Sequence, residues 1–187
     1  MNRASQLVLI ASTILASWLG MQAVHELGHV LGAWLTGGRI ERVVLHPLTI
    51  SRTDFADNPQ PLLVVWAGPV FGVVAPLLLW MTATTIKLRC AFGLRFFAGS
   101  CLLANGLYIG FGSFGQVGDC GQMLRHSSQM WHLWLFGGLT APAGLLLWQG
   151  QGSHFGLGKD KPRMNASIAY GTFAVALSLF LFGLLHG

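Results

Sequence analysis

His25-Glu26-Leu27-Gly28-His29 sets two imidazoles four residues apart, with a carboxylate beside the first. On a helix that spacing stacks both rings on one face, one turn apart, where both can ligate a single metal ion. A pair of neutral imidazoles suits Zn2+, and Glu26 stands where it can take a proton from a water activated by the metal. Seven histidines and two glutamates in 187 residues give roughly 0.003 chance occurrences of H-E-x-x-H. The same residues without a metal would leave a buried charge with no partner in an apolar helix.

Catalytic zinc sites commonly keep three protein ligands and leave one position for water. The candidates for the third ligand are few. Asp54 and Asp57 lie in a polar loop, and Asp160 lies in the last basic loop. Asp119 combines a position near membrane depth with a close-packing, glycine-rich context, Val117-Gly-Asp-Cys-Gly-Gln-Met-Leu124. His126, seven residues further on and on nearly the same helix face, is the alternative.

The elements that must position these groups follow from where charge is absent. Charged residues make up 9% of the chain, against roughly 25% in soluble domains. No charge lies between Asp57 and Lys87, Arg95 and Asp119, Arg125 and Lys159, or after Arg163, and Glu26 alone interrupts the stretch from Arg3 to Arg39. Each gap is long enough for one helical crossing of about 20 residues. The pattern predicts an all-α integral membrane protein, one domain over 1–187, with about five spans near 6–36, 61–86, 95–113, 129–149 and 166–186. The first apolar stretch outruns a signal-peptide core and is expected to be a retained span. If each span crosses once, the far end of the first and the Asp119 region share one side of the membrane.

Two connections stand out. Gly37–Pro61 is polar, and Arg39–Arg52 within it is rich in β-branched residues, with Pro47 placed for a turn. A small hairpin at the membrane surface is expected there. Asn105–Gly121 carries six glycines, which predicts a broken segment that lines the site.

Cys90, Cys101 and Cys120 are scattered and form neither a CxxC pair nor a disulfide framework. The net charge of +5 is dispersed among the loops. That fits anionic lipid headgroups and leaves no footprint for nucleic acid. Lys87, Arg89, Arg95, Lys159, Lys161 and Arg163 fall on the side of the amino terminus, and the positive-inside rule places that side in the cytoplasm.

The chain resembles the site-2 protease family of intramembrane metalloproteases (peptidase family M50). His25–His29 looks like the family's zinc helix, Ala67-Gly-Pro69 like its A-G-P element, and Gly118-Asp119-Cys-Gly121 is similar to its L-D-G-G ligand motif. The chain departs from the family where Val70-Phe-Gly72 lacks an asparagine after A-G-P, and where Cys120 replaces a glycine. The resemblance implies zinc held by His25, His29 and Asp119, Glu26 as general base, and Asn105 hydrogen-bonded to the substrate carbonyl. It also implies a membrane-protein substrate and, with no PDZ-like or CBS-like segment in these residues, a minimal core-only member. It favours a site near the cytoplasmic face, opposite to the positive-inside reading. A compact core with few cysteines suits a prokaryotic inner membrane. The rival function is a non-proteolytic zinc-binding membrane protein, such as a transporter, sensor or assembly subunit, which would not need Glu26.

Overall fold

A computed structural model describes residues 3–157 and 166–186. Lys159, Asp160, Lys161 and Arg163, which entered the charge and ligand arguments above, lie outside the described residues. Among those described, the chain forms α1 (Arg3–Leu35), β1 (Arg39–Val44), β2 (Arg52–Asp57), α2 (Pro61–Thr85), α3 (Ala91–Gly115), α4 (Gly118–Arg125), α5 (Met130–Trp148), a short 3-10 helix (Gln151–Phe155) and α6 (Ala166–His186). Helices α1, α2, α3, α5 and α6 are long and apolar enough to cross a membrane. Helix α1 packs against α2 and α6, α3 packs along α5, and α2 bridges to α3.

Small residues set how closely these helices approach. A Cβ at Gly106 would lie 2.7 Å from the Ala141 backbone nitrogen, and one at Gly137 would lie 2.8 Å from the Gly110 Cα. The glycines of α3 therefore serve helix packing against α5, as small residues do between membrane helices. This moves the expected break. The helix continues unbroken past Asn105 and Gly112 to Gly115, and the chain turns only at Gln116–Val117. Gln116 adopts a left-handed conformation (φ 51°), as does Gly118 (φ 56°), so two sharp turns of backbone redirect the chain into α4. Helix α3 also begins at Ala91, earlier than the charge gap suggests; Arg95 lies within it, and its guanidinium donates to the Gln149 carbonyl at the end of α5 (3.1 Å).

The hairpin forms, but its second strand lies further along than the β-branched run implied. Strand β2 occupies Arg52–Asp57 and pairs antiparallel with β1, with Thr53 opposite Val43. Pro47 falls in the seven-residue connection between the strands. Arg52 and Asp54 pair on one face of β2 (3.2 Å), which leaves Thr53 and Phe55 for the opposite face. That face looks onto α1.

Candidate metal centre

His25 and His29 sit toward the far end of α1, where it crosses α2. The crossing is close because both helices place glycine at it. A Cβ at Gly28 would lie 2.8 Å from Gly68 Cα, and a Cβ at Gly68 would overlap the His29 imidazole. The Ala67-Gly68-Pro69 element is thus the surface on which one of the two rings rests. Helix α3 closes the second side of the site, and α4 brings Asp119 in over it.

Three side-chain atoms converge. His25 Nε2 lies 3.1 Å from His29 Nε2 and 2.9 Å from Asp119 Oδ2, and His29 Nε2 lies 3.4 Å from the same oxygen. The outer ring nitrogens decide what the inner ones carry. His29 Nδ1 is 2.9 Å from the Val64 carbonyl, which can only accept, so that nitrogen bears the proton. His25 Nδ1 is 2.7 Å from Asn105 Oδ1. The Asn105 amide is oriented by its own Nδ2, which donates to the Cys101 carbonyl (2.9 Å), so His25 Nδ1 is also the donor. Both Nε2 atoms therefore present lone pairs inward, toward a carboxylate oxygen. Three acceptors at such separations repel one another unless a cation lies between them. A proton would serve one contact; a metal ion serves all three. Tetrahedral zinc with bonds of ~2.0–2.1 Å needs ligand atoms ~3.3 Å apart, and the observed 2.9–3.4 Å brackets that. The residues present fit zinc in donor type, separation and tautomer, with an acceptor behind each imidazole as metal-bound histidines require.

Asp119 lies in the first turn of α4, outside the five spans. Its backbone N–H, one of the orphan donors of a helix start, donates to the Tyr108 hydroxyl (3.1 Å). The form in which this carboxyl could hold a metal is the carboxylate. Cys120, beside it, packs its sulfur under α4 against the Tyr108 and Ile109 carbonyls.

Glu26 is buried at 3% exposure, and its Oε2 accepts a 2.7 Å hydrogen bond from the Thr53 hydroxyl on β2. Glu26, the three converging residues and His126 all line one cavity of about 680 Å³, within the usual range for ligand sites. Trp18, Met21, Ile50, Phe55 and Val65 make much of its wall apolar. His126 lies in that wall but not in the cluster, whose ligand atoms are all within 4.8 Å of one another. Asn105 is 1% exposed, with both ends of its amide engaged. It stands behind His25 in the wall of the same cavity. Gly72 abuts that amide, its would-be Cβ 2.8 Å from Asn105 Nδ2, so the absence of a side chain after Ala67-Gly-Pro69 makes room for Asn105.

Thr53, Tyr108 and Val64 escaped the sequence reading. Thr53 is one of several hydroxyl residues in the polar loop, and nothing in the spacing singles it out, because the neighbouring contact to Gln22 is made by the Ser51 backbone N–H. The Val64 carbonyl has no signal either, since every residue has a carbonyl.

No curated protein and no solved structure matches the chain. A family model described as Peptidase M50B-like matches residues 5–109, which include the H-E-x-x-H helix, Ala67-Gly-Pro69 and Asn105 and stop short of Asp119. That match spans more than half of the 187 residues, and with five apolar helices the chain belongs to the Peptidase M50B-like family as a multi-pass integral membrane protein.

Proposed function

We propose that the chain is an intramembrane zinc metalloprotease that hydrolyses peptide bonds of membrane-embedded proteins. The observation that supports this best is the convergence of two imidazole lone pairs and one carboxylate oxygen within hydrogen-bond distance, beside a carboxylate that is not part of the cluster. His25, His29 and Asp119 would hold the metal. Zinc there would polarise the scissile carbonyl and acidify the attacking water. Glu26 takes the proton that this water loses as its oxygen adds to the carbonyl carbon. Glu26 then delivers that proton to the amide nitrogen as the C–N bond breaks, leaving a carboxyl and an amine. Asn105 and Val64 hold the imidazoles in the tautomer that keeps Nε2 free. The apolar cavity wall accepts a substrate segment and excludes bulk water. The substrate must arrive unwound, since helical hydrogen bonds occupy its carbonyls. A two-stranded sheet leaves each strand one edge without a strand partner, and such an edge can take up an extended peptide.

The test is metal dependence on a defined reporter: a quenched-fluorescence peptide with one apolar span, weakened at its centre by Asn-Pro, in detergent micelles. Purified protein is expected to cleave it, to stop when stripped with a chelator, and to recover on addition of one equivalent of zinc. Cleavage that survives complete removal of the metal would refute the proposal.

A further inference from the structure

The carboxylate assigned as general base is tied to the hairpin. Thr53 Oγ1 donates to Glu26 Oε2 at 2.7 Å, and the Ser51 backbone N–H donates to Gln22 Oε1 at 3.3 Å. Gln22 and Glu26 are one turn apart on α1, and Ser51 and Thr53 are two residues apart on the hairpin. Two successive turns of α1 thus hold the start of β2, one by the backbone N–H just before the strand and one by the Thr53 side chain. Phe55, two residues beyond Thr53 on the same face of β2, also lines the cavity. The register is pinned by the Thr53–Val43 pair and by irregularities between Arg39 and Arg42. A slip of one residue would turn Thr53 away from Glu26 and put Arg52 or Asp54 in its place.

We infer that Thr53 is a positioning residue for Glu26, and that it couples the hairpin's position to the base. This rests on the protease reading above. A glutamate has three side-chain torsions, and proton transfer needs one oxygen held toward the attacking water. With Oε2 held by Thr53, Oε1 is the oxygen left for the proton. A hydroxyl-to-carboxylate bond is charge-assisted, and burial strengthens it. Because the donor sits on the strand whose side chains wall the cavity, a substrate segment that shifts the hairpin also shifts the base. A hairpin displaced from α1 leaves Glu26 unheld.

The experiment compares Thr53→Val, Thr53→Ser and Gln22→Leu on the reporter, with zinc content measured for each. Thr53→Val keeps the β-branched shape and removes the donor; Thr53→Ser keeps the donor. Gln22→Leu removes the hairpin's other anchor without touching the base. The expected result for Thr53→Val is a loss of about 10- to 100-fold in kcat, the scale of a misoriented catalytic group, with KM and zinc unchanged. Thr53→Ser is expected to recover most of it, and Gln22→Leu, which loosens the hairpin but leaves the Thr53 donor, to lower kcat by less than Thr53→Val. Wild-type kcat in Thr53→Val, or a Thr53→Ser as impaired as Thr53→Val, would overturn the role of Thr53 and leave the protease reading standing. No cleavage by the wild type at any zinc level would overturn both.

Discussion

Glu26→Gln is expected to retain its zinc and to lose about 10²- to 10⁴-fold in kcat, the contribution of a positioned general base. The substitution keeps the size of the side chain and its acceptor oxygen for Thr53, so the hairpin stays anchored to α1. What it removes is the capacity to carry a proton between water and the leaving amine. Glu26 is not among the converging ligand atoms, so metal content should not follow activity. Parallel measurement of reporter cleavage and zinc per chain separates the two. A variant that loses zinc together with activity would place Glu26 in the metal shell, and one that keeps activity would remove it from the mechanism.

Asp119→Ala is expected to lose zinc. Changes behind a ligand lower metal affinity by about 10- to 100-fold, and loss of a ligand itself should exceed that range. The wild type should hold one zinc per chain, and its melting temperature should rise with added zinc, since a ligand at 100 times its Kd stabilises by about 2.7 kcal/mol. Both effects should vanish in Asp119→Ala. His126→Ala is the control, because His126 faces the same cavity but lies outside the cluster. The reverse pattern, zinc kept without Asp119 and lost without His126, would transfer the third ligand to His126. The effect is large because α4 is a single short helix, and Asp119 is its one side chain on the cluster.

The membrane spans were legible because charges are excluded from them, and the observed helices fall close to the charge gaps. The exception, the start of α3, came from treating Arg95 as a boundary. A long side chain can place its charge on a neighbouring helix end while its backbone stays helical. The zinc helix was legible because its chemistry is local, three side chains within five residues. Asp119 was chosen from its glycine-rich context near membrane depth and its resemblance to a ligand motif; the turn that delivers it, left-handed backbone at Gln116, was not legible, because glutamine does not advertise that conformation. The glycines of α3 pointed to irregular backbone, yet Gly106 and Gly110 are there for α5, a distant partner in sequence. The shift of β2 to Arg52–Asp57 has a similar origin. Glu26 on α1 accepts from Thr53 within the strand and Gln22 from the Ser51 backbone N–H just before it, and strand propensity within the loop carries no trace of these partners. Asn105 was noticed through the resemblance alone. Its place behind His25 depends on the space that Gly72 leaves.

Cys120 gives this arrangement an internal gauge. Its sulfur is fully covered beneath α4, next to the residue that brings the third ligand, whereas Cys90 is exposed and Cys101 is buried within α3. A membrane-permeant thiol reagent should label Cys90 at once and Cys120 only as often as α4 lifts from α3. The labelling rate of Cys120, with Cys90 replaced by serine, therefore times the opening of the site in a protein that has been given no substrate. Slower labelling on zinc addition would show that the metal latches the helix down.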